Sequence, residues 1–367
     1  MSALERPAGE AVSQTVPKRV IELARYWPVI AAVLAVAVLL GAGRLWPELL
    51  MPLGLAAILG LAYANGANDV SKGIATLVDA GVTDYRRALL WGTLWTGVGA
   101  VASAFAARQL VATFSAGLLA NGARFGPHAA IAVLLGTIGW LLLATQMGLP
   151  VSTTHSITGA IVGVGTISAG VSGVAWEKVV QKVALPLALG PVLAIGLGLV
   201  AYALLRISPT ALPYGRLHWL SSGGASMARA LNDTPKIVAL GAGFLVVPGS
   251  ERVPVWIFLS TAAAMVAGSW AGGRRVTHTL AERVTQLDDR EGLGANLATA
   301  LPVSFASTRG LPVSTTHVAS AAIVGVGARR GRRAVRWRTV GEVALAWLVT
   351  LPVAALIGIA AYLLIVW

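Results

Sequence analysis

Five stretches of this chain run for about 20 residues or more without a charged side chain, at residues 49–68, 88–107, 183–205, 253–273 and 343–367. An α-helix of about 20 residues crosses the roughly 30 Å hydrocarbon core of a bilayer. A further run, residues 125–176, holds only neutral residues and His, and charged residues make up 12% of the chain, whereas a soluble domain has about 25%. The pattern predicts an all-α, multi-pass protein of the cytoplasmic membrane.

Charge and composition exclude several other classes. The net charge of +13 is what the positive-inside rule produces in the loops of a membrane protein, so we do not interpret it as a nucleic-acid surface. Cysteine is absent, which removes disulfides and thiolate metal sites. No cluster has the spacing of metal ligands, so we predict neither a metal nor a cofactor.

Two motifs occur twice, in the same order. The octapeptide GLPVSTTH begins at Gly148 and again at Gly310, 162 residues later. Upstream of it, GANDVSKG contains Asn68 and Asp69, and ALNDTPKI contains the equivalent residues 164 positions on. The chain is therefore duplicated. We predict one repeat at residues 50–207 and the other at 208–367, preceded by a basic cytoplasmic N-terminus and an extra transmembrane helix within residues 1–49.

The distribution of Lys and Arg predicts how the two repeats are oriented. If residues 125–166 and 292–328 are re-entrant hairpins with the octapeptides at their tips, eighteen Lys and Arg residues lie on the cytoplasmic side and six on the outer side. This partition satisfies the positive-inside rule. It also makes the two repeats enter the membrane from opposite faces, which is the inverted-repeat architecture of secondary transporters.

Each octapeptide has the chemistry of an anion site. Gly and Pro interrupt a helix, and Ser or Thr restarts it as the N-cap. The restarted helix presents free backbone N–H groups and the positive end of its dipole within the membrane, an arrangement that binds anions. Hydroxyl donors suited to a tetrahedral oxyanion follow in each copy: Ser152, Thr153 and Thr154, and Ser314, Thr315 and Thr316. The alternative is that these residues only cap turns and join helices.

The upstream motifs place charges inside apolar spans, namely Asp69, Lys72, Asp233 and Lys236. Each such charge costs about 2.5 to 3.5 kcal/mol at the centre of a membrane helix, so none is expected to face lipid. A spacing of three residues predicts an ion pair in each half. Helix-disrupting neighbours, Gly66 in the first half and Pro235 in the second, favour broken helices that hold a coupling cation.

Single residues of the octapeptide region allow more than one interpretation. Arg309 has Met147 as its counterpart in the first half, so it either attracts the anion from the cytoplasmic side or extends towards water. His155 and His317 lack companions at metal-ligand spacing. We expect packed, hydrogen-bonded imidazoles at these two positions, and a proton relay is the alternative.

The four motifs, GANDVSKG, ALNDTPKI and both copies of GLPVSTTH, resemble the paired signatures of the inorganic phosphate transporter (PiT) family, over roughly residues 50–367. The resemblance implies symport of phosphate with protons or sodium ions and a homodimer. It implies that Asn68, Asp69, Asn232, Asp233 and the two Ser-Thr-Thr triplets line the substrate and ion sites. One departure is Lys72, where the family's first motif usually has Asn, and it favours protons over sodium.

Three alternative functions follow from the same residues. A permease for sulfate or a related oxyanion would use the same donors. An anion channel is also compatible with hairpins and charged pore residues. A membrane hydrolase is disfavoured, because its nucleophile and base need one asymmetric constellation, whereas Ser and His occur here in two equivalent copies.

Overall fold

The structure is a computed structural model that describes residues 50–116, 118–209, 211–245 and 253–366. The predicted N-terminal segment, residues 1–49, lies outside these ranges. Within them the chain forms helices and short turns, and the described residues contain no β-strand beyond one isolated bridge between Leu119 and Val174. The all-α fold class is confirmed.

The described residues of the first half form seven α-helices, one of which includes a π-helical turn. Helices α1 and α2 are nearly continuous, because Val70 between them keeps helical dihedral angles. Helix α7 includes one π-helical turn at Val180–Ala184. The helices are α1 Leu50–Asp69, α2 Ser71–Asp79, α3 Tyr85–Ala106, α4 Arg108–Ala116, α5 Pro127–Gln146, α6 Thr153–Ala169 and α7 Trp176–Ile207.

The second half repeats this order with fewer interruptions. Helix α8 corresponds to α1 and α2 together, and α9 corresponds to α3 and α4 together. Helices α10 and α11 form the second hairpin, as α5 and α6 form the first. The helices are α8 Tyr214–Leu245, α9 Val255–Glu282, α10 Asp289–Thr308, α11 Thr315–Ala328 and α12 Trp337–Val366.

Six helical segments of the described chain are long and apolar enough to cross a membrane: Leu50–Asp79, Tyr85–Ala106, Pro127–Gln146, Trp176–Ile207, Val255–Glu282 and Trp337–Val366. Each of the five charge-free runs coincides with one of them over most of its length, so the multi-pass prediction is confirmed. Several helices extend beyond the apolar run. Helix α9, for example, continues through Arg274 and Arg275 to Glu282, because a helix can leave the bilayer without ending.

The expectation that Gly66 and Pro235 unwind their spans is wrong. Helix α1 passes through Gly66 and continues to Asp69. Helix α8 is uninterrupted from Tyr214 to Leu245 with Pro235 inside it. Proline removes only one backbone N–H from the helical ladder, and neighbouring helices make such a position tolerable within a membrane. The predicted breaks at the two octapeptides do occur, between α5 and α6 and between α10 and α11.

Helices of one half pack mainly on helices of the other. Helix α1 packs on α9, α3 on α8, α6 on α12 and α7 on α11. Glycine makes the closest of these contacts possible. A Cβ atom added at Gly66 would overlap the backbone of Met265, and one added at Gly268 would overlap the backbone of Tyr63. Small residues commonly allow such approaches between membrane helices, and here they interlock the two halves.

The two hairpins open at opposite ends of α12. The open end of the first hairpin shares a cavity with the C-terminal end of α12, where Phe125 and Tyr362 both line the wall. The second hairpin ends at Ala328, close to the start of α12, and the ion pair between Arg330 and Glu291 joins its two arms there. Helix α12 has 30 residues, which corresponds to a length of about 45 Å.

Candidate functional site

Both hairpin tips have the predicted break and cap. Gly148 and Gly310 adopt positive φ angles of +69° and +71° at the ends of α5 and α10, a conformation that glycine adopts without strain. Ser152 and Ser314 are the N-caps of α6 and α11, and each accepts a hydrogen bond of 3.2 Å from the backbone N–H three residues later. The capping prediction is confirmed for both copies.

The two tips meet deep inside the protein. The hydroxyl of Thr154 donates to the carbonyl of Val313 at 3.0 Å, and the hydroxyl of Thr316 donates to the carbonyl of Val151 at 2.7 Å. Each tip thus donates the same hydroxyl-to-carbonyl hydrogen bond to the other tip. These bonds bring the N-termini of α6 and α11 side by side, which doubles the number of unsatisfied N–H groups at one place.

The first charged pair lies directly beneath the first tip. Lys72 and Asp69 form a buried ion pair, and Lys72 also approaches the carbonyl of Val151 at 3.5 Å. Thr153 donates to Asp69 at 3.2 Å. The amide of Asn65 donates to Asp69 at 3.0 Å and to the Thr153 hydroxyl at 2.9 Å. The predicted ion pair is confirmed, and it is bonded to the hairpin.

The second charged pair has more partners. Lys236 pairs with Asp233 at 3.2 Å and also donates to the Thr154 hydroxyl at 2.6 Å and the Val313 carbonyl at 3.2 Å. The hydroxyl of Thr315 lies 3.5 Å from Asp233. Through Thr154 the second-half lysine reaches the hairpin of the first half. The two pairs therefore belong to one polar cluster.

The two motif asparagines hold the hairpin tips. Asn68 donates to the carbonyl of Leu149 at 3.0 Å and accepts from the N–H of Val151 at 3.1 Å. Asn232 donates to the carbonyl of Val313 at 3.0 Å. Because a polar backbone group left unpaired in a membrane is costly, these amides stabilise the non-helical residues of each tip.

Arg229 also belongs to the cluster, although the sequence analysis missed it. Its side chain is 1% exposed. Its guanidinium donates to Asn65 at 3.1 Å and to Thr96 at 2.6 Å. A usable signal existed in the sequence, because Arg229 is a charge between uncharged neighbours and stands 164 residues after Asn65, the same interval that relates the motif residues.

Arg309 is not brought into the cluster. It follows the last residue of α10, it is exposed, and its guanidinium lies 4.9 Å from the centre of the Phe305 ring. The two histidines pack behind the tips, with ring centroids 4.5 Å apart, and His317 stacks on Trp347. No group of His, Cys, Asp or Glu in the described ranges has the arrangement of a metal site.

The cluster as a whole is sealed and positively charged. Each of its ten motif residues is 3% exposed or less, namely Asn68, Asp69, Ser152, Thr153, Thr154, Asn232, Asp233, Ser314, Thr315 and Thr316. Three buried cations, Lys72, Lys236 and Arg229, accompany two buried carboxylates. Two helix N-termini and several hydroxyl donors converge on the same place. Such a site is suited to a small oxyanion.

A polytopic helical protein with a sealed polar site between two hairpin tips is a membrane transport protein by its architecture. The sequence pattern of the phosphate transporter family matches residues 65–212 and 209–358. The chain belongs to the phosphate transporter family, which confirms the resemblance stated above. Because the members of this family are transport proteins and not enzymes, the hydrolase alternative is excluded.

Curated relatives cover most of the chain. A probable low-affinity inorganic phosphate transporter of Rhizobium meliloti is 32% identical over 313 residues, covering 82% of this chain and 92% of the relative. Proteins with the same description from Mycobacterium bovis and Bacillus subtilis are 31% and 28% identical. The Mycobacterium bovis match covers 83% of this chain and 75% of the relative, and the Bacillus subtilis match covers 84% and 94%.

A solved structure has the same fold. A protein described as the sodium-dependent phosphate transporter superposes with a TM-score of 0.78 at 24% identity, covering 86% of this chain and 98% of the other. At that identity the likeness establishes the fold.

Proposed function

We propose that this protein is a symporter that carries inorganic phosphate across the cytoplasmic membrane and is driven by protons. The observation that carries this proposal is the buried cluster in which hydrogen bonds join both hairpin tips, two lysines and one arginine. The descriptions of the relatives as inorganic phosphate transporters support phosphate as the substrate.

The substrate site is formed by the Ser-Thr-Thr triplets. The serine hydroxyls accept capping bonds and can still donate their own protons. The threonine hydroxyls donate to backbone carbonyls or lie against the aspartates, so an anion binds here by taking over these donors together with the first N–H groups of α6 and α11. The cluster buries these donors away from water. Hydrogen bonds to a charged group contribute about 1.5 to 3 kcal/mol each, so a few of them suffice to bind phosphate.

Proton coupling follows from the two lysines. Lys72 and Lys236 each pair with a carboxylate whose charge a sodium ion could otherwise neutralise. A fixed ammonium supplies that charge permanently. In this proposal, transient protonation of the two aspartates links phosphate movement to the proton gradient.

The two halves form an inverted repeat in this proposal. The opposed open ends of the hairpins at α12 support it, and so does the excess of Lys and Arg on the cytoplasmic side. We expect Arg333, which is exposed, to lie on the cytoplasmic side. An Arg333→Cys variant in whole cells, which has no other cysteine, should resist an impermeant thiol reagent until the membrane is opened. Labelling of intact cells would refute the orientation.

Uptake of labelled phosphate into proteoliposomes tests the function. An inward proton gradient should drive accumulation above the external concentration, and an inward sodium gradient at fixed membrane potential should not. Labelled sulfate in parallel distinguishes a general oxyanion permease. Equilibration without accumulation indicates a channel, and sodium-dependent uptake that ignores the proton gradient would contradict the coupling. A homodimer is a separate proposal, which the mass of the purified protein in detergent would test.

A further inference from the structure

Arg229 is a buried cation with no carboxylate of its own. Lys72 and Lys236 each pair with an aspartate, whereas no carboxylate oxygen of the described residues forms an ion pair within 4.0 Å of Arg229. Its Nε atom is buried without a hydrogen-bond partner in the same ranges. Asp69 and Asp233 attract Arg229 only from beyond ion-pair distance, and a charge without a carboxylate in contact is expensive in the membrane interior, where it marks a functional position.

The guanidinium is coupled to the substrate site through Asn65. Arg229 donates to the Asn65 side-chain oxygen at 3.1 Å. The nitrogen of the same amide therefore faces the hairpin, where it donates to Thr153 at 2.9 Å and lies 3.4 Å from Asp233. Arg229 thus fixes which end of the amide points towards the threonine triplet.

The two halves carry different side chains at the positions of Asn65 and Arg229. Asn65 and Arg229 occupy equivalent positions, 164 residues apart, so one half contributes an amide and the other a guanidinium. Among the described residues of the joint cluster, Arg229 is the one cation of this kind, and it leaves a surplus of one formal positive charge there. A bound anion is the compensating charge that the protein lacks.

We propose that Arg229 is a positioning residue for the transported oxyanion. It supplies the surplus positive charge that the anion neutralises, and it orients the Asn65 amide towards Thr153. This inference rests on the proposed function, since it assumes that the cluster is the anion site. We therefore expect Arg229 to destabilise the protein when the site is empty and to stabilise it when phosphate is bound.

Equilibrium binding of labelled inorganic phosphate to purified protein, together with thermal unfolding in detergent, tests the proposal. R229Q should weaken phosphate binding more than tenfold, because the surplus charge is lost. R229K should stay within about threefold of the unchanged protein, because it keeps the charge. R206Q is the matched control, since Arg206 is exposed at the end of α7, and it should bind phosphate normally.

Thermal unfolding separates this role from a purely structural one. Without phosphate, R229Q should unfold at the same temperature as the unchanged protein or higher, because an unpaired buried charge has been removed. The stabilisation that phosphate confers on the unchanged protein should be largely lost in R229Q. A structural arginine would instead lower the unfolding temperature of the empty protein, and failure of R229Q to fold would have the same meaning.

Phosphate binding by the unchanged protein and by its variants separates failure of the proposed function from failure of the proposal about Arg229. If the unchanged protein binds no phosphate, the proposed function fails. If the unchanged protein binds phosphate and R229Q binds it equally well, the proposal about Arg229 is wrong while the function stands. Equal losses in R229K and R229Q would show that charge is not the property that matters.

Discussion

Lys72 and Lys236 occupy the same position in the two halves, three residues after an aspartate, but their surroundings differ. Lys236 has three partners within 3.2 Å, of which one is a hydroxyl of the opposite hairpin. Lys72 has its aspartate and one carbonyl at 3.5 Å. Duplicated motifs therefore do not impose identical roles. The second half gives its lysine three hydrogen-bond or ion-pair partners, and the first half gives its lysine fewer.

The largest expected effect comes from breaking the better-bonded pair. Removing one partner of a buried ion pair costs about 3–5 kcal/mol, because the other charge remains buried and unpaired. We expect Lys236→Met to destabilise the protein by that amount. Lys72→Met should cost about 1 kcal/mol less, since it removes fewer hydrogen bonds.

Unfolding of both variants in mixed detergent micelles, followed by circular dichroism, measures this difference. Lys178→Met is the control, because Lys178 is exposed on α7 and should leave stability unchanged. A greater loss of stability in Lys72→Met than in Lys236→Met would show that the first half, and not the second, bonds its lysine more strongly.

Local sequence rules predict some contacts of the site and miss others. The two ion pairs follow from a spacing of three residues on a helix, and the caps follow from Ser after Gly and Pro, so local rules suffice for both. The contact between Thr154 and Val313 joins residues 159 positions apart, and no local rule predicts it. Arg229 was missed because it stands outside the repeated motifs, and its role depends on Asn65 from the other half.

Asp69 and Asp233 should contribute differently to the preference for phosphate over sulfate. Asp69 accepts hydrogen bonds from Asn65 and Thr153 at 3.0 and 3.2 Å. One oxygen of Asp233 has only longer contacts, 3.4 Å to Asn65 and 3.5 Å to Thr315. That oxygen is better able to accept a hydrogen bond from phosphate, which near neutral pH still carries one or two O–H groups. Sulfate has none to donate and would be repelled.

We therefore expect Asp233→Asn to weaken phosphate uptake and to relax the exclusion of sulfate, changing the preference by about tenfold, since a site built to accept a substrate O–H rejects analogues that lack it. Asp69→Asn is the matched variant and should change the preference less. Competition of labelled phosphate uptake by unlabelled sulfate measures both. Loss of coupling in either variant with an unaltered preference would assign the carboxylates to the driving ion alone.

The claim that the two hairpin tips form one anion site is tested most directly by phosphate binding to the double variant Thr153→Val and Thr315→Val. Valine keeps the shape and removes one hydroxyl from each tip. The matched control is Thr158→Val with Ser320→Ala, which removes hydroxyls five residues further along the same helices, where neither has a hydrogen-bond partner among the described residues. We predict that affinity falls more than tenfold in the first variant and stays unchanged in the control. Unchanged phosphate affinity in a normally folded Thr153→Val, Thr315→Val protein would contradict the site.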